Sequence, residues 1–147
     1  MKSTAKMTTW LLGVTLLACG PLAQARDTSL HLSFDAAVVK AQELGKIDGS
    51  VKFYLADKGP KGGKVLEEAV TNKKTNAFNK TDEEACAWAL YSALISLQEA
   101  AKKAGANSVS NVVSYYKKNE FSDGSHYECH VGGVVAGVAL KANLTKH

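Results

Sequence analysis

The chain has 147 residues, with 18 Lys and Arg against 14 Asp and Glu, a formal charge of +4 and 46% hydrophobic residues. That length and apolar content suit one hydrophobic core and exclude an extended disordered chain. Nearly all the positive charge is lysine and Arg26 is the sole arginine, which argues against bidentate recognition of nucleic acid.

The first acidic residue is Asp27. Ahead of it lie a basic start (Lys2, Lys6), an apolar run from Trp10 to Ala18, and the small-x-small pattern Ala23-Gln24-Ala25. This reads as a signal peptide over residues 1–25, then a single α+β domain over 26–147, with a periplasmic address. Leu16-Leu17-Ala18-Cys19 also fits a lipobox. The alternative is therefore a lipoprotein, lipidated at Cys19 and held on a membrane. The apolar run falls short of the roughly 20 residues that span a bilayer. Without the leader, 16 basic groups face 14 acidic ones. Cys86 and Cys129 then remain as an even pair, which in an exported chain reads as a disulfide. The alternative is two buried, unpaired thiols.

Ser33 to Ile47 has helical spacing, with Phe34, Ala37, Val38, Ala41 and Leu44 on one face and Ser33 as its cap. Asp48-Gly49 marks a turn, and Val51 to Ala56 alternates as a strand. Lys58 to Lys64 is a glycine-rich loop, Val65 to Thr71 is expected to return as the second strand of a hairpin, and Asn72 to Lys80 reads as an exposed connection. Thr81 to Ala104 is the best-defined element. Thr81 with Glu84 makes a capping box, and Asp82 and Glu83 suit the helix dipole. Cys86, Leu90, Leu94, Leu97 and Ala101 form its apolar stripe, and Gly105 suits a left-handed cap. Asn107 to Lys117 reads as a strand with Val109, Asn111, Val113 and Tyr115 on one face. His126 to Leu144 reads as one long final strand, with a bulge near Gly132-Gly133 or Gly137. The expected order is α-β-β-α-β-β, a mostly antiparallel sheet packed against one long helix.

Few constellations carry chemistry. Gly59-Pro60-Lys61-Gly62-Gly63-Lys64-Val65 misses a phosphate loop, because Lys58 stands where the first glycine belongs and Val65 where a hydroxyl must hold magnesium. His126, Glu128 and His130 alternate on one strand face, a set that could hold zinc or copper, although a solvated polar face is the plainer reading. Glu67-Glu68 suits an edge strand. Tyr115-Tyr116 suits one core ring and one surface ring. The serines lack a nucleophile elbow, so no catalytic residue and no cofactor is expected.

The segment Ala101 to Tyr116, Ala-Lys-Lys-Ala-Gly-Ala-Asn-Ser-Val-Ser-Asn-Val-Val-Ser-Tyr-Tyr, resembles the helix-end-to-strand segment of small exported bacterial proteins auto-named "excinuclease ATPase subunit". The likeness extends through Asn72 to Phe78, Asp82 to Cys86 and Tyr127 to Cys129. Leu94 to Val113 and the last strand are more distantly similar to the YbjQ/RcsF-like group. The resemblance implies a Gram-negative envelope protein with no assigned chemistry; RcsF-like sensing lacks the long disordered arm of that lipoprotein. An ATPase would need the missing phosphate loop. The reading is a non-enzymatic periplasmic binding or envelope-stress module, partnered by an envelope protein or a small ligand and not by nucleic acid. The alternative is a metal-binding protein using His126, Glu128 and His130. An exposed sheet edge could also pair with a second copy.

Overall fold

A computed structural model describes residue 20 and residues 25–147. The leader apart from Gly20 and Ala25, Cys19 included, lies outside the described residues. The described residues form an α+β structure: a mixed, mostly antiparallel sheet of six strands with two α-helices. The order is β1 (Thr28–Ser33), α1 (Phe34–Glu43), β2 (Lys52–Leu55), β3 (Lys64–Asn76), α2 (Asp82–Ala104), β4 (Ser108–Ser114), a 3-10 turn (Tyr116–Lys118), β5 (His126–Val131) and β6 (Val135–Lys146).

The helices follow their local signals. Ser33 accepts a hydrogen bond from Ala36 N at 3.3 Å and starts α1, while Thr81 accepts from Glu84 N at 3.1 Å and starts α2. Both satisfy amides that a helix leaves unpaired at its first turn. Gly105 ends α2 at φ 77°, in the left-handed region that glycine adopts without strain. The stripe Cys86, Leu90, Leu94, Leu97 and Ala101 is buried, as its spacing predicts. Ala85, Ala89 and Ala93 are buried beside it, so the helix backbone lies close to the sheet. In α1 the apolar face stops early: Phe34 and Ala41 are buried, but Leu44 lies past the helix end and is exposed.

Strand pairing departs from the expectation in four places. First, β1 was not anticipated; it pairs antiparallel with β5, from Thr28 opposite Val131 to Ser33 opposite His126. Second, β2 and β3 do not form a hairpin. β2 pairs in parallel with β4, whereas β3 crosses to the far side and pairs antiparallel with β6 from Lys64–Lys146 to Asn76–Val135. A strand of 13 residues gains far more ladder from 12-residue β6 than from four-residue β2. The polar stretch expected to be a connection therefore continues the strand to Asn76, since an edge strand tolerates polar residues on its open face. Third, His126 to Leu144 is not one strand. It turns between Val131 and Val135, where Gly132 N donates to Val135 O at 2.8 Å, and returns as β6. Fourth, β4 carries an irregularity between Ser110 and Val113, with Asn111 at φ 49°. The extra residue shifts the side-chain phase, so Val109 and Val112 both enter the core cluster instead of facing opposite ways.

α2 packs against β3, β4, β5 and β6, and the core lies between them. Ala136, Val138, Leu140, Ala142 and Leu144 of β6 line its floor. Cys86 of α2 is bonded to Cys129 of β5, across 43 residues of sequence. Both cysteines are fully buried. In the chain-entropy description a bridge over a loop of that length restricts the unfolded chain by about 4 kcal/mol. Replacing both cysteines with alanine is expected to lower the unfolding free energy by about that amount, read from urea denaturation of oxidised wild type and variant. A loss below about 1 kcal/mol would contradict this role.

Candidate functional site

The sheet face opposite α2 is only partly covered. Along β5, Tyr127, Cys129 and Val131 are buried while His126, Glu128 and His130 point the other way. The alternation read from sequence is thus realised, and Cys129 is spent on the disulfide. Opposite them, β1 turns Leu30 and Leu32 inward against the core cluster, leaving Ser29, His31 and Ser33 on the open face. The register sets His31 directly across from Glu128 and Ser29 across from His130.

A chain of imidazole–carboxylate contacts follows from that register. His130 Nδ1 meets Asp27 Oδ1 at 3.0 Å and its Nε2 meets Glu128 Oε1 at 2.9 Å. The other oxygen of Glu128 lies 3.4 Å from His31 Nε2. Two of these four residues, Asp27 and His31, come from sequence about a hundred positions away from their partners. Sequence spacing along β5 missed them. The signal that could have found them is the alternation of Leu30 and Leu32 with Ser29, His31 and Ser33, which marks a short strand.

His126 stands apart from this chain. Asp123 holds it, at 2.8 Å through its backbone N–H and 3.2 Å through Nδ1. The trio His126, Glu128 and His130 therefore shares a face but not a centre. Among the described residues, no group of three His, Cys, Asp or Glu side chains is arranged to hold a metal ion.

Aromatic rings roof the contacts. Beyond β4 the chain passes over the open face through the 3-10 turn, and Tyr116 stacks on His130 with centroids 3.5 Å apart. Phe121 stacks on His31 at 4.3 Å. Neither Tyr115 nor Tyr116 is a core ring: Tyr115 lies under Lys141 Nζ at 5.1 Å, and Lys141 in turn bonds Glu120. The Glu120 carboxylate holds the Lys141 ammonium above its ordinary pKa. Lys117 Nζ lies over the Tyr116 ring at 5.1 Å.

Beside Tyr116 and His130 opens a cleft of about 240 Å³, lined also by Arg26, Asp27, Lys74, Gly132, Val135 and Gly137. Arg26 is engaged with Asp82 at the start of α2. The cleft is therefore lined by two stacked rings, a lysine and a carboxylate, features that orient a small polar group. Among the described residues, Cys86 and Cys129 are bonded to each other, and no serine hydroxyl makes a hydrogen bond with the imidazoles or carboxylates of this chain of contacts. The glycine-rich loop before β3 makes no part of the cleft.

The turn into β5 also holds a carboxyl with a displaced pKa. The Asp123 carboxyl accepts from Ser125 N at 2.7 Å and from His126 N. These backbone bonds, Ser125's first, hold its pKa below the ordinary value. A carboxyl with a depressed folded pKa stabilises the fold above its unfolded pKa and loses that contribution as pH falls through the lower folded one. Asp123→Asn is therefore expected to flatten the fall in stability below about pH 4, measured by thermal melts across acid pH. Equal slopes for variant and wild type would contradict the assignment.

Compared with family models, with curated proteins and with solved structures, the chain matches none of them.

Proposed function

We propose that the chain is an exported, non-enzymatic binding module of the bacterial envelope, with the cleft beside His130 and Tyr116 as its binding site. The observation that carries the export reading is the buried Cys86–Cys129 bond, because such bonds persist in oxidising compartments and are rare in the cytosol. The leader pattern over residues 1–25 and the resemblance of Ala101 to Tyr116 to small exported proteins support the same address. Signalling under envelope stress is the wider role that resemblance suggests. A ligand of this cleft is a small polar molecule or a polar side chain of an envelope partner, lodged against the Tyr116–His130 stack beside Asp27. Nucleic acid is a poor fit: the domain is nearly neutral and Arg26, its one arginine, is already bound to Asp82.

Cell fractionation followed by intact mass of the purified protein tests this. The expected species begins at Arg26, carries one disulfide and resides in the periplasmic fraction. A membrane-bound species starting at a lipidated Cys19 would give the same module an anchor. A cytoplasmic chain with its leader intact and free thiols at Cys86 and Cys129 would overturn the export reading. Treating the same fractions with a chelator separates the alternative: partners lost on chelation indicate metal-dependent binding, and partners retained favour the cleft alone.

A further inference from the structure

β3 is an edge strand over its whole length. One side pairs with β6 from Lys64 to Asn76, and its other side meets no strand among the described residues. Edge strands in monomeric proteins are usually short, bulged or guarded by charge, because an open ladder of amides and carbonyls invites another strand. β3 has 13 residues, and its one irregularity, between Val65 and Glu67, leaves Glu67 to Asn76 regular. Val70 is 58% exposed at its middle.

The charges along it are arranged with two-fold complementarity. Glu67 and Glu68 precede the middle of the strand, and Lys73 and Lys74 follow it. None of the four forms an ion pair within the described residues. Glu68 is near Lys141, but Lys141 is bonded to Glu120. We propose that β3 pairs antiparallel with β3 of a second copy of this chain, about a two-fold axis at Thr71, joining two six-stranded sheets into one.

The register follows from geometry. A two-fold axis perpendicular to the sheet keeps each residue on its own face, so opposed residues must be an even number of positions apart. Centring on Thr71 sets Glu68 opposite the partner's Lys74 and Val70 opposite the partner's Asn72. It sets Ala69 opposite the partner's Lys73 and Glu67 opposite the partner's Thr75. Glu67 then lies diagonal to the partner's Lys73, within reach of long side chains. Val70 lies diagonal to its own counterpart. Every charge meets its opposite, and symmetry repeats each contact. This register uses only the regular segment from Glu67 to Thr75, whereas centring one residue earlier draws the irregular stretch at Leu66 into the ladder. A parallel, in-register arrangement instead lays Glu67-Glu68 against themselves. Nine opposed residues in an antiparallel pair supply about eight to ten new backbone hydrogen bonds.

Sedimentation equilibrium on the oxidised protein as the cell makes it tests the interface. Wild type is expected to be a dimer. Lys73→Glu/Lys74→Glu alone and Glu67→Lys/Glu68→Lys alone are expected to dissociate, each raising the dimer dissociation constant about a hundredfold. An equimolar mixture of the two variants is expected to restore a dimer, because each supplies the charges the other has lost. A wild type that stays monomeric to millimolar concentration overturns the proposal. So does a dimer indifferent to both reversals, or a mixture that stays monomeric while circular dichroism shows both variants folded. Should a variant not fold, hydrogen exchange on wild type decides: concentration-dependent protection at the free-edge amides of Val70 and Asn72 supports the interface, and its absence overturns it.

Discussion

Most of the structure depends on β6 having neighbours along both edges. β3 runs the length of one edge, while β5 and β4 share the other in succession, β5 reaching Gly137 and β4 taking over from Leu140. Between those two positions the backbones of β4 and β5 part, and groups that would lose ladder partners must find others. Tyr115 N donates to Ala139 O at 2.8 Å, and Glu128 N donates to the buried Ser114 hydroxyl at 2.8 Å. The parting also routes the chain after β4 over the open face, which brings Tyr116 onto His130 and Phe121 onto His31. The cleft is thus a consequence of how two strands share one partner.

The second constraint is the contact of α2 with that sheet. Three buried alanines let the helix approach closely, and the Cys86–Cys129 bond ties it to β5 next to the strand residues that form the open-face contacts. Packing on one face and polar chemistry on the other are therefore coupled through single strand positions: Cys129 holds the helix, and its neighbours Glu128 and His130 hold Asp27 and His31. A residue inserted in β5 would exchange these faces and destroy both.

What the sequence made legible was local. The caps Ser33, Thr81 and Gly105, the stripe of α2, the cysteine pair and the alternation from His126 to Val131 all read correctly, because each is set by neighbours within one turn or one strand. Strand partners were not legible. β2 and β3 are adjacent in sequence and hydrophobic in pattern, and nothing within either strand reveals that the loop between them crosses the sheet. The phase change at Asn111 was hidden for a similar reason: a single extra residue is recognised only against the partner strand. At the candidate site, Glu128 and His130 were found from spacing, but His126 was lost to Asp123 in the preceding turn, and Asp27 and His31 arrive through the register of β1.

The central role of β6 makes one measurement decisive. Native-state hydrogen exchange at low protein concentration, where chains do not associate, ranks the strands by the free energy needed to expose them. Leu140 and Leu144 lie between two paired strands on the core face of β6, and their amides are expected to exchange only through global unfolding, more slowly than those of β1 and β2. Exchange in β6 as fast as in those peripheral strands would contradict the account, because the sheet could then open without losing the strand on which it is built.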